Sequence, residues 1–192
     1  MSDKFTLTDH FLIAMPTLND PHFQQTVSYI CEHNSEGAMG IVINRPSELT
    51  LADLCEQLKI PLADTEIATC PVFYGGPVET ERGFILHSPV GNWDSTLTIT
   101  KDIGLTVSQD IIQAIAEDYD PDNKRPEHFI ISLGYAGWSA DQIEDEIAEN
   151  AWLNVPASKE ILFSSPVEQR WAAAAALLGI NIQQLSGDIG HA

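Results

Sequence analysis

Between Val27 and His33 the chain reads VSYICEH, an alternation with a period of two that places every second side chain on one face of a strand. On that period Cys31 and His33 share a face and Glu32 points to the other. Further strand-like runs are predicted at Phe11 to Met15, Ala38 to Asn44, Val72 to Tyr74, Phe84 to His87, Leu97 to Thr100, Phe129 to Leu133 and, more briefly, Ile161 to Phe163. Pro46 follows Asn44-Arg45 and is expected to stop the pairing ladder, leaving those two side chains available at a strand end.

Helical spacing is predicted over Leu51 to Leu58, Gln109 to Asp118, Ala140 to Ala151 and Pro166 to Leu178. Ser139 with Gln142, and Ser165 with Glu168, have the spacing of capping boxes, Pro166 suits a first helical position, and Gly179 suits a left-handed cap. Leu51, Leu54 and Leu58 share a stripe with Cys55, which marks that cysteine as core, whereas the stripe Ile143, Ile147 and Trp152 fits either core or an interface. Three strands precede the first helix and Val72 to Thr100 carries strands alone, so the element order favours an α+β fold over a doubly wound parallel sheet. No linker or composition shift divides the chain, so residues 1–192 are expected to form one domain. Its tail after Leu185, SGDIGHA, is expected to be mobile or held by local contacts.

Composition narrows the partners more than it narrows the chemistry. Hydrophobic residues make up 44% and charged residues 19% of 192, a balance that supports a packed core. No apolar run approaches the roughly 20 residues of a membrane span, and the start lacks the pattern of an export signal. Three cysteines at uneven spacing, Cys31, Cys55 and Cys70, argue against a disulfide framework and fit a reducing, cytoplasmic compartment. The six histidines are scattered, so no metal site is expected, and no cofactor motif is present. A net charge of -19, with no basic run longer than Lys124-Arg125, disfavours direct nucleic-acid binding, which depends on Lys and Arg replacing phosphate counterions. Acidic clusters at Glu117 to Asp122 and Asp141 to Glu149 accommodate a basic protein partner more easily.

Ordered motifs run along nearly the whole chain: Met15-Pro16, Asp20-Pro21, Cys31-Glu32-His33-Asn34, Gly37-Ala38-Met39-Gly40, Asn44-Arg45-Pro46, Gly75-Gly76-Pro77-Val78, Arg82-Gly83-Phe84, Leu86-His87 and Gly134-Tyr135-Ala136-Gly137-Trp138. Together they resemble the signature of the AlgH/YqgE family of bacterial proteins. The resemblance implies a mixed, largely antiparallel sheet folded into a pseudo-barrel with flanking helices, in a family named for transcriptional regulation. The chain departs from the family pattern at Asp141, where a glycine is usual. Its charge would repel an anion at that helix start.

These residues admit several chemistries. GYAGW lies between an apolar strand and a helix, a layout suited to anion binding, but it lacks the spacing of GxGxxG or a P-loop. A tight, closely packed turn is the preferred reading, and likewise for Gly75-Gly76-Pro77. No GxSxG elbow is present. The covalent candidate is Cys31 activated by His33, as a thiol-dependent enzyme or redox sensor, set against an inert strand cysteine. Glu32, Asn34, Asn44, Arg45, Arg82 and His87 fall at predicted strand ends and compose the candidate surface for a protein or small anionic ligand. The preferred reading is a non-enzymatic regulatory or adaptor protein acting through that surface, with the thiol reading as its alternative. Oligomeric state stays open.

Overall fold

The alternating apolar runs pair edge to edge into one connected ten-stranded sheet that curls into a half-barrel, with six helices among the described residues packed against it. The computed structural model describes residues 5–117 and 125–187. Strands are β1 (His10–Ala14), β2 (Val27–Asn34), β3 (Gly37–Val42), β4 (Pro46–Thr50), β5 (Pro71–Tyr74), β6 (Val78–Ser88), β7 (Thr96–Thr98), β8 (Gly104–Thr106), β9 (His128–Ser139) and β10 (Trp152–Pro156). Helices are α1 (Leu51–Leu58), α2 (Asp110–Ala116), α3 (Gln142–Ala148), α4 (Lys159–Phe163), α5 (Arg170–Ala176) and α6 (Ile182–Gly187). The main strand order is β10-β1-β2-β3-β9-β6-β8-β7. All these pairs are antiparallel; β5 joins β9 in parallel and carries β4 on its other side, which makes the sheet mixed. The fold is therefore α+β, as the element order indicates.

Strand β9 organises the sheet. Its first half pairs with both β5 and β6, and its second half with β3. GYAGW consequently lies inside a strand, not in a strand-to-helix turn. A residue of left-handed φ is needed at Gly134 (φ 75°), and a Cβ there would meet the Gly76 carbonyl oxygen at 2.4 Å. Gly76 answers from the β5–β6 link, where an added Cβ would lie 2.1 Å from the Tyr135 carbonyl carbon. The two glycines serve a backbone-to-backbone contact.

Local signals explain where the helices begin and end. Thr50 caps α1 reciprocally with Asp53, and Lys59 closes the helix in the left-handed region. Ser158 accepts a hydrogen bond from Ile161 N–H, which turns the run Ile161 to Phe163 into part of α4 where a strand was expected. The helix expected over Ala140 to Ala151 is shorter: Asn150, at φ 61°, reverses the chain, and Trp152 opens β10 opposite Ala14. Its capping box is half formed, since Gln142 accepts from Ser139 N–H while Ser139 stays in β9. The box at Ser165 and Glu168 is absent; Pro166 leads into a 3₁₀ turn, Val167–Gln169, before α5. Pro46 does not end pairing either, because it opens β4 opposite Phe73 at the sheet margin, where a missing N–H is tolerated. Asp118, most of the first acidic cluster, Lys124 and the tail beyond Gly187 lie outside the described residues.

Three apolar clusters fill the molecule. The largest joins β1, β2, β6 and β9 to α4, α5 and α6 through residues such as Phe11, Tyr29, Leu86, Leu162 and Ala174. A second holds α1 and α2 on the sheet, with Cys55 at 1% exposure beside Leu51. The third seats Ile143 of α3 against Trp138 and Trp152, so that Ile143 is core. Among the described residues no helix is long and apolar enough to cross a membrane.

Candidate functional site

The β2–β3 hairpin carries the CEHN motif, and its register decides what each side chain can reach. Ile30 pairs with Gly40, but Glu32 pairs with Met39, so Cys31 is one extra residue on β2. Such a bulge inverts the alternation beyond it. Glu32 stands with Met39, which packs on the large core, whereas His33 stands with Ala38, which packs on the third cluster. Cys31 belongs to the large core. Cys31 and His33 therefore lie on opposite faces, and Cys31 and Glu32 on the same one, the reverse of the strict period-two reading.

Burial pushes the Cys31 thiol far above its ordinary range, and the neighbouring Glu32 charge adds to that. Its sulfur donates weakly to the Tyr29 carbonyl at 3.7 Å. His33 is 8% exposed and fully engaged: Nδ1 accepts from Leu7 N–H at 3.0 Å, and Nε2–H donates to Glu144 Oε1 at 2.8 Å. An imidazole holding a backbone N–H on one nitrogen and a carboxylate on the other fixes the N-terminal segment and α3 to the hairpin.

The remaining candidates separate. Asn44 accepts from Val27 N–H at 3.0 Å and donates to the Gln25 carbonyl at 2.9 Å. Arg45 donates to the carbonyls of Pro21 and Gln24, each at 2.8 Å, and to that of His22. Together they clamp the loop between β1 and β2. His87 is buried, with Nε2 2.7 Å from the Thr106 hydroxyl and Nδ1 3.0 Å from the Pro89 carbonyl. Burial holds its pKa below the ordinary histidine value, and the Pro89 contact opposes that only in part. Arg82 is exposed, pairs with Glu79 at 3.4 Å and lies 5.7 Å from the centre of the Phe84 ring. The structure thus places Glu32, Asn34 and Arg82 at one end of the sheet, Asn44 and Arg45 on the β3–β4 link against the β1–β2 loop, and His87 in the interior.

Around Glu32 the sheet forms an open groove of about 630 Å³ between the hairpin, β6 and β9. Met39, Phe84 and Tyr135 contribute its apolar surface, with the Phe84 and Tyr135 rings edge to face at 5.3 Å. Glu32, Glu36 and Glu79 also line it. Asn34 positions the hairpin tip, its Oδ1 accepting from Glu36 N–H at 2.8 Å. Glu79 begins a wide irregularity in β6, since Val78 pairs with Tyr135 and the next pair is Gly83 with Leu133. Its φ of 48° turns the chain away from the ladder there. Glu36, Glu79 and Tyr135 were missed as site residues because nothing in local spacing announces a bulge that brings separate strands to one concavity. Among the described residues no cluster of three His, Cys, Asp or Glu side chains is arranged to hold a metal ion.

A curled α+β half-barrel with an acidic, aromatic groove at the hairpin defines the class of molecule. The AlgH-like family model matches residues 11–183, and the chain belongs to that family. A UPF0301 protein of Nitrosococcus oceani is 50% identical over 184 residues, covering 96% of each chain. Another, from Chromobacterium violaceum, is 50% identical over 190 residues, covering 99% of this chain and 100% of its own. The solution structure of the AlgH protein from Pseudomonas aeruginosa matches with a TM-score of 0.78 at 48% identity, over 100% of this chain and 99% of its own. A Corynebacterium diphtheriae crystal structure shares the fold, with a TM-score of 0.72 at 16% identity over 97% of this chain and 94% of its own.

Proposed function

We propose that this protein is a non-enzymatic adaptor whose hairpin groove receives a basic segment of a protein partner. The observation that carries this reading is the pairing of aromatic and carboxylate side chains in one concavity. Half-buried Tyr135, backed by the buried Phe84 ring, offers an aromatic surface while Glu32, Glu36 and Glu79 offer negative charge, a combination that suits the guanidinium or ammonium group of Arg or Lys. Arg82, held by Glu79 and lying over Phe84, supplies an internal example of the contact. The chain's net charge of -19 would steer such a partner from a distance and strengthen the response to ionic strength. Regulation through protein contacts agrees with what the family resemblance implies without requiring contact with DNA.

An oligo-arginine peptide and a matched oligo-glutamate peptide supply the test, titrated against the full chain while amide resonances are followed. The arginine peptide is expected to shift Glu32, Glu79 and Tyr135, and Glu32→Gln with Glu79→Gln should weaken it about five-fold, since exposed charge pairs contribute about 0.5 kcal/mol each. Equal affinity for both peptides, or shifts elsewhere, would falsify the proposal.

A further inference from the structure

Among the described residues Arg170 is a cation without an anion. It is 5% exposed, and among the described residues no carboxylate lies within ion-pair distance of it. Its Nε donates to the Ser165 carbonyl at 3.2 Å and its Nη1 to the Ile43 carbonyl at 2.6 Å. A guanidinium has five N–H donors, and Nη2 has no hydrogen-bond partner among the described residues. The Phe73 ring, 5.5 Å from the guanidinium carbon, offsets part of the burial penalty by cation–π attraction. Burial still pushes the guanidinium pKa down, the direction expected of a charge whose solvation has not been fully replaced.

Arg170 borders a cavity of about 380 Å³, within the range of small-molecule sites. Its other walls include Ile67, Phe73, Phe163 and Val167, and His128 stacks on Phe163 with ring centres 5.6 Å apart. Cys70 also lines the cavity and is half-buried, and Glu127 lines it as an exposed carboxylate. Glu127 and the chain's large negative charge oppose a doubly charged guest, while the apolar walls favour one with a hydrocarbon body.

We infer that this cavity binds a small amphipathic monocarboxylate, its carboxylate held by Arg170 and its apolar tail packed between Phe73 and Phe163. The carboxylate would accept from the guanidinium edge that the protein leaves unused, and supply the counter-charge the fold omits. This site is separate from the hairpin groove and does not depend on it.

Octanoate is the probe, titrated into the full-length protein while the Arg170 side-chain Nε–H resonance and the alkylation rate of Cys70 are followed. Saturable binding is expected, with a shifted Arg170 resonance and slower Cys70 alkylation. Octanol and acetate, lacking the charge and the tail respectively, should each bind at least about tenfold more weakly. Octyl phosphate separates a carboxylate site from a general anion site, and binding tighter than octanoate overturns the stated ligand class. Because Arg170 also anchors Ile43, Arg170→Ala is replaced by two milder variants. Arg170→Lys keeps the charge without the fork, and Ile67→Trp fills the cavity from another lining position. Both should weaken octanoate about tenfold with melting cooperativity retained. Undiminished binding to Ile67→Trp, or octanoate binding that leaves Arg170 unshifted, overturns the site.

Discussion

Cys31 shows how one added residue redirects chemistry. As the extra position of the β2 bulge it drops into the large core at 2% exposure, while the chain reverses and sends His33 to the opposite face. A buried thiol with a carboxylate neighbour is a poor nucleophile at neutral pH, because the thiolate lacks both water and a compensating cation. Iodoacetamide should therefore leave Cys31 unmodified in the native protein from about pH 6 to pH 9, and label it only once denaturant unfolds the chain. Site-resolved mass spectrometry reads the result, and rapid native labelling of Cys31 would restore a thiol role. His87 provides a second residue-level prediction. Its folded pKa lies below the ordinary 6.5, so the unfolded chain takes up the proton first as pH falls. The stability linked to His87 is complete above that value and is lost as pH descends through 6.5 toward the lower folded pKa. Melting temperature should fall over this window, and His87→Gln should reduce the slope even if its absolute stability is lower.

At the scale of elements, the clamp on the β1–β2 loop reads differently from its sequence. Asn44 and Arg45 stand beside a proline and look exposed for recognition, yet their hydrogen bonds run to backbone atoms of residues 21–27. Arg45→Ala should cost about 1–3 kcal/mol in unfolding free energy, the range for removing charge-assisted hydrogen bonds when water can partly replace them. Denaturant unfolding measures the loss, and hydrogen exchange should quicken at Thr26 and Val27 first. A change below about 0.3 kcal/mol would return Arg45 to a recognition role. Sequence periodicity located the apolar strands and α1 because each is built on local contrast between buried and exposed positions. It overlooked β4 and β10, whose pairing is set by distant partners, and it took Trp152 for a helix stripe although Asn150 had already turned the chain. The groove was half legible. Glu32, Asn34 and Tyr135 stand in recognisable motifs, whereas Glu79 acquires its place in the groove only when β6 and β9 assemble, and Arg170 its separate cavity only when α5 docks.

For the whole molecule, the disposition of positive charge bears directly on what it can bind. The sequence holds nine Lys and Arg against 28 Asp and Glu. Arg82, Arg125 and Lys159 are paired with Glu79, Asp64 and Asp102, Arg45 is spent on carbonyls, and Arg170 is buried. Among the described residues this leaves Lys59 and Lys101 outside ion pairs. A duplex-binding protein that neutralises about six to ten phosphates needs several cations on one face. Among the described residues Lys59, at the end of α1, and Lys101, between β7 and β8, fall short of that number within a field of negative charge. The protein should leave a random-sequence duplex unretarded in a gel shift at about 150 mM salt, and lowering the salt to about 50 mM should not rescue binding, since few counterions would be released. Retardation that strengthens steeply as salt is lowered would place a basic surface on this protein and reopen direct regulation of DNA. An unchanged duplex, together with salt-sensitive capture of the arginine peptide, makes the groove at the β2–β3 hairpin the place where charge is read.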